Sequence, residues 1–235
     1  MSIFDALKKL VYPQICLGCK KASAKRGGLC GDCFRIYERD KSIVCRKCGG
    51  RNCRCRCRPT YASENVFVYL SVFPYRENSP GGQMILCLKR RKNKSVLELL
   101  GSDMAKSLEN GCILRSDAVV CFVPRSRQAL LESGVDQARE LGKVVAEKCS
   151  LPLVDALGRK QNKGAQKDLD AAARAEYAKK CYKISGKCPD LTGKQVILVD
   201  DILTTGATLS ACAALLKSKG ADQIVCLTAG RRRRQ

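Results

Sequence analysis

Two groups of residues in this chain have the types and spacing to do chemistry. The first is the run Val196-Ile197-Leu198-Val199-Asp200-Asp201-Ile202-Leu203-Thr204-Thr205-Gly206-Ala207-Thr208-Leu209. Four apolar residues predict a buried strand, two carboxylates emerge at its C-terminal end, and a Thr/Gly loop opens into a helix. A loop of that kind aims backbone N–H groups and hydroxyls at a phosphate. Two adjacent acids would repel an isolated phosphate, so they are expected to face sugar hydroxyls or a Mg²⁺ ion while the loop holds the phosphate. The bland alternative is an ordinary strand-turn-helix with an Asp cap.

The second group is cysteine. Of 17 cysteines, nine fall between Cys16 and Cys57. Cys16/Cys19 and Cys30/Cys33 are two C-x2-C knuckles, each able to turn two thiolates toward one ion. Cys45/Cys48 begin a second set, completed from Cys53, Cys55 and Cys57. Five thiols compete there for four positions; Cys55 and Cys57 are preferred over Cys53 and Cys55. The reading is two structural Zn²⁺ sites, since an ion held by four cysteines has no open position for water or substrate. The other eight cysteines are scattered singly, mostly within apolar segments, where the residue acts as a small hydrophobe. With no histidine anywhere, Ser-His-Asp and Cys-His nucleophiles and mixed Cys/His zinc sites are excluded.

The elements that position these groups follow from hydrophobic patterning. Apolar, β-branched runs at 66–73, 118–123, 196–199 and 224–229 predict buried parallel strands. Helical periodicity covers 95–108 and 137–148, and an Ala/Leu-rich run at 209–219 ends at Gly220. Their alternation predicts a parallel α/β domain over residues 61–235, with a boundary near Arg58-Pro59 and a double zinc ribbon over 1–60. So short a ribbon cannot build its own core and is expected to depend on metal; Cys16→Ser is expected to unfold it while sparing the α/β domain. Residues 159–174 read as a polar loop leading into a helix, and Arg231 to Arg234 as a disordered basic tail.

The chain has 235 residues and a net charge of +22. Residues 1–60 carry 15 Lys/Arg against four Asp/Glu. Two four-thiolate zinc sites would lower the net charge only to about +18. A phosphate-bearing partner is therefore plausible, beside the plainer reading of a solvated basic surface. No apolar run reaches the roughly 18 residues a transmembrane helix needs, and the first ten residues lack a secretory pattern. A cytoplasmic location is expected.

The Asp-Asp-Thr-Thr-Gly run resembles the phosphoribosyl-diphosphate signature of type I phosphoribosyltransferases. That resemblance implies Asp200 and Asp201 on the ribose 2′- and 3′-hydroxyls, and Thr204, Thr205, Gly206, Ala207 and Thr208 on the 5′-phosphate. It also implies Mg²⁺ on the diphosphate and displacement at the anomeric carbon. A second loop, Pro124, Arg125, Ser126 and Arg127, fits the place where the diphosphate is gripped. Taken in order, the zinc ribbon, Phe73-Pro74-Tyr75, Leu88-Lys89, the Val-Pro loop and Ser133-Gly134-Val135-Asp136-Gln137 resemble the ComF family of competence-associated proteins. Lys89 joins the expected ligand-binding set on that ground. The chain departs from that family where many members carry Arg-Gly-Phe-Asn-Gln, and Thr204 replaces an acid found in purine-salvage enzymes. The resemblance implies an accessory of DNA uptake in natural transformation that binds phosphoribosyl diphosphate or a nucleotide. Single-stranded DNA and an ATP-driven uptake motor are its implied partners. The alternatives are an active phosphoribosyltransferase acting on a nucleobase or amine, and a binding-only sensor.

Overall fold

The computed structural model describes residues 15–21, 25–43, 45, 48, 50, 57–110, 113–160 and 180–232. A short 3-10 turn, Arg26–Gly28, precedes helix α1 (Gly31–Lys41). Strand β1 (Val68–Pro74) is followed by helices α2 (Pro80–Arg90) and α3 (Lys94–Asn110). Then come β2 (Val119–Phe122), α4 (Arg127–Ser133), α5 (Gln137–Lys148) and β3 (Leu153–Val154). Two short strands, β4 (Leu157–Arg159) and β5 (Tyr182–Ile184), precede β6 (Gln195–Leu203), α6 (Ala207–Lys217) and β7 (Gln223–Arg231).

The main sheet has the order β1-β7-β6-β2-β3 and every pairing in it is parallel. Helices cover both faces, as the strand-helix alternation predicts. Alternate residues of the strands point to opposite faces, so Val120, Ile197, Val199, Val225 and Leu227 meet α2, α3 and α5 on one side. Val119, Cys121, Leu198, Ile224 and Cys226 meet α6 on the other. Strands β4 and β5 form a separate antiparallel pair.

Three expectations are corrected. Strand β6 does not stop at Val199 but runs through both acids, with Asp200 opposite Thr228 and Leu203 opposite Arg231. The acids therefore sit in a paired strand rather than beyond its end, because β7 continues alongside. For the same reason Arg231 is not part of a tail: it is the last residue of β7, opposite Pro74 of β1 and Leu203 of β6. Val66 and Phe67 precede β1; Val66 is held in a turn on the Ser63 carbonyl. Arg233, Arg234 and the expected polar loop beyond Lys160 lie outside the described residues.

The N-terminal segment shares the α/β core. Cys16, Leu29, Cys33 and Tyr37 are buried in one cluster with Phe73, Met84 and Leu100. Tyr37 packs edge-on against Phe73, ring centroids 5.5 Å apart, and its hydroxyl donates to Asp103 Oδ2 of α3 at 2.7 Å. Lys41 Nζ donates to the same oxygen at 3.0 Å. A helix that could not bury itself alone thus borrows the sheet's hydrophobic face.

Of the single cysteines, Cys87, Cys121, Cys181, Cys212 and Cys226 are buried, while Cys149 and Cys188 are partly so; Cys112 lies outside the described residues. Burial pushes the Cys121 thiol up to about 12, which leaves it protonated and unreactive. Among the described residues no helix is long and apolar enough to cross a membrane.

Candidate functional site

Strand β2 connects outward to β3, whereas its neighbour β6 connects to β7 on the other side. Ligands of open α/β sheets collect at such a switch point, beyond the carboxyl ends of the strands. A cleft of about 300 Å³ lies there. Val123, Pro124 and Arg125 enter it from the end of β2, and Asp200 and Asp201 from β6. Lys89 comes from the last turn of α2 and Thr208 from the first turn of α6.

The two acids have different surroundings. Asp200 Oδ1 accepts from the backbone N–H of Asp201 at 2.8 Å. Burial, and then the charge of Asp201, raise the Asp200 carboxyl well above its ordinary range. Asp201 Oδ2 lies 3.6 Å from Lys89 Nζ. One acid therefore resists ionisation while the other is paired with a cation. That is an environment for gripping hydroxyls and a divalent ion rather than an isolated anion.

The loop after β6 enters α6 through Gly206, at φ +85°. A side chain there would also meet Pro59, whose Cγ lies 2.6 Å from the position a Cβ would take. Both facts require glycine. Thr204 is exposed and Thr205 partly so, while Gly206 and Ala207 are buried.

The loop after β2 behaves differently from expectation. Ser126 caps α4 by accepting from the Ala129 N–H at 3.2 Å, and Arg127 is exposed and not among the cleft-lining residues. Arg125 lines the cleft, but its Nη1 donates to Ser133 Oγ at 2.8 Å and to the Val135 carbonyl at 2.9 Å. Its guanidinium thus braces the turn that leads into α5. Asp136 then caps α5, accepting from the Arg139 N–H at 3.2 Å, and lies 3.3 Å from the Arg125 N–H. Burial raises its carboxyl despite those donors.

Sequence reasoning quoted Asp136 and Gln137 only as landmarks, yet both line the cleft. It missed Tyr182, and it placed Arg159 only at the start of a polar loop. These two face each other across the β4–β5 pair, with the Arg159 guanidinium 5.4 Å from the Tyr182 ring. Their signal was too weak to find: two three-residue strands with no extended apolar run.

The cysteines assemble as two clusters. The sulfurs of Cys16, Cys19, Cys30 and Cys33 all lie within 4.8 Å of one another, as do those of Cys45, Cys48 and Cys57. A tetrahedral zinc with Zn–S near 2.3 Å sets sulfurs about 3.8 Å apart. Cys19 and Cys30 are at 3.7 Å, and so are Cys45 and Cys57. Burial disfavours the Cys16 thiolate, yet backbone N–H groups of Cys30, Cys19 and Gly18 outweigh it and lower the thiol to about 6. Cys33, buried among those thiols, is pushed up to about 12. Four thiol sulfurs at this mutual spacing are a donor set that fits zinc. Cys53 and Cys55 lie outside the described residues.

Comparison with known proteins finds similarity in the C-terminal half of the α/β fold. Residues 130–235 match the family model of the phosphoribosyl transferase domain. The adenine phosphoribosyltransferase of Rhodococcus jostii (strain RHA1) is 36% identical over 108 residues, which cover 46% of this chain and 54% of that protein. The adenine phosphoribosyltransferase of Mycobacteroides abscessus is 45% identical over 49 residues, 21% of this chain and 28% of that one. The chain therefore spans between about a quarter and about half of these relatives. Among solved structures, the purine phosphoribosyltransferase of Pyrococcus horikoshii Ot3 aligns with TM-score 0.34 and 20% identity, over 58% of this chain and 75% of that one. The orotate phosphoribosyltransferase of Aeropyrum pernix aligns with TM-score 0.35 and 14% identity, over 84% and 92%. Over residues 130–235 the chain is thus similar to phosphoribosyltransferase domains.

Proposed function

We propose that this protein binds phosphoribosyl diphosphate, or a nucleotide, in the cleft between β2 and β6, and that its chemistry is phosphoribosyl transfer. The observation that carries this is the Asp200–Asp201 pair, with Lys89 3.6 Å from one carboxylate and the N-terminus of α6 beside it. Asp200 and Asp201 hold the ribose hydroxyls, residues 204–208 hold the 5′-phosphate, and Lys89 and the Pro124–Arg125 backbone face the diphosphate. Mg²⁺, when bound with the diphosphate, neutralises charge on the leaving group. In transfer, the bond from the anomeric carbon to the diphosphate oxygen breaks and one to the acceptor nitrogen forms. The acceptor's proton goes to solvent or to the released diphosphate, since Thr204 cannot serve as a base. The Asp201 carboxylate beside the sugar favours positive charge developing at that carbon.

The resemblance to the ComF family supports a cellular setting in DNA uptake during natural transformation, with single-stranded DNA and an uptake motor as partners of the basic surface. The test of the ligand site is isothermal titration with phosphoribosyl diphosphate, with and without Mg²⁺, against Asp200→Asn/Asp201→Asn. Magnesium-dependent binding that the double variant lacks is expected. Equal binding by the variant would refute the site.

A further inference from the structure

The Thr/Gly loop is not free-standing. Pro59 packs against Gly206, and the Tyr61 N–H donates to the Thr205 carbonyl at 2.9 Å. The Tyr61 carbonyl in turn accepts from the Ser210 hydroxyl of α6. Tyr69 stands 3.1 Å from that hydroxyl and accepts from the Ser63 N–H at 2.9 Å, while Arg58 donates to the Ser63 and Val66 carbonyls at 2.7 and 3.2 Å. This strap begins at Cys57. Its sulfur is 3.7 Å from that of Cys45, and its carbonyl accepts from Arg231 at 2.6 Å.

We infer that segment 57–61 is the outer wall of the phosphate loop and that the second cysteine cluster holds it in place. Pro59 and Tyr61 are thus positioning residues, and metal at Cys45, Cys48 and Cys57 governs affinity for the 5′-phosphate end of the ligand. The inference rests on the cleft being a phosphoribosyl site. The physical reason is short reach. Tyr61 is four positions beyond Cys57, a span of at most about 14 Å, and Pro59 has a fixed φ. A metal bond at Cys57 therefore fixes where the Tyr61 N–H can sit. Without it, the three-residue contact must order itself against the loop at its own entropic cost. The diphosphate end of the cleft is formed by α2 and the β2 loop and shares none of these bonds.

The test measures ribose 5-phosphate and inorganic diphosphate separately by isothermal titration, alongside zinc content per chain. Cys48→Ser is expected to lose one zinc of two and to weaken ribose 5-phosphate binding about tenfold, with diphosphate binding unchanged. Cys19→Ser, in the other cluster, should lose one zinc without that selective effect. Because Cys48→Ser can fail to fold, Ser210→Ala provides a second reading with both clusters intact. It should weaken ribose 5-phosphate about fivefold, the worth of a hydrogen bond near 1 kcal/mol, and Ser210→Thr should restore it. Unchanged ribose 5-phosphate affinity in Cys48→Ser and Ser210→Ala would overturn the inference, as would parallel loss of both ligands. Wild-type protein that binds neither ligand would remove the cleft assignment itself, and the inference with it.

Discussion

Lys89 Nζ, on the last turn of α2, stands 3.6 Å from Asp201 Oδ2 in β6. This ion pair joins a helix on one face of the sheet to the strand that carries both acids. Under the proposed function, this cation faces the diphosphate of the ligand. Lys89→Met should lower affinity for phosphoribosyl diphosphate about tenfold, the loss of one charge-assisted contact, while zinc content stays the same. Lys89→Arg should recover most of it. Titration of the three proteins side by side is the check.

Asp200 is held against its ionisation by burial first and by Asp201 second. A carboxyl raised in the folded state binds its proton more tightly there than in the unfolded chain. Its presence is therefore harmless below the ordinary value of 3.8 and destabilising as pH rises above it, until the folded group itself ionises. Asp200→Asn should thus raise the melting temperature at pH 7 by about 3 °C, as expected for roughly 1 kcal/mol in a chain of this size. The advantage should shrink toward zero as pH approaches 4. Melting curves across pH 4–8 without ligand would show it, and a variant less stable than wild type at pH 7 would contradict it.

Gly206 combines a left-handed backbone with contact against Pro59. Gly206→Ala adds strain of about 1 kcal/mol from the backbone alone, plus displacement of the Pro59 ring. The expected outcome is loss of ribose 5-phosphate binding with a folded chain. Near-ultraviolet circular dichroism and titration separate that from unfolding.

The buried Tyr37–Asp103–Lys41 group ties α1 to α3. Asp103→Ala leaves the buried Tyr37 hydroxyl without its acceptor, while Lys41 keeps Glu38, at a cost of about 1–3 kcal/mol. Since Cys16, Cys33 and Tyr37 share a core with Phe73 and Leu100, loss of Cys16 should not be confined to the cysteine segment. Cys16→Ser should lower the melting of the whole chain in one transition. Two resolved transitions, with the α/β part unchanged, would instead uphold the sequence-based expectation of independent units.

What the sequence determined by itself is local. C-x2-C spacing brings two sulfurs within reach of one ion whatever surrounds them, and the first four-sulfur cluster is the one expected. The apolar run, Asp200-Asp201, Thr/Gly loop and helix are contiguous, so their order along the chain is their order in space. The alternation of buried runs with helical periodicity foretold a parallel sheet covered on both faces. Tertiary structure decided what depends on residues far apart. Ser210 and Tyr61 are 149 positions apart, and Arg231 and Cys57 are 174 apart; no local pattern marks such pairs. The extension of β6 through the acids depends on β7 alongside it. The burial of α1 against β1 and α3 belongs to the same class. Each is a contact whose formation requires the sheet to exist first.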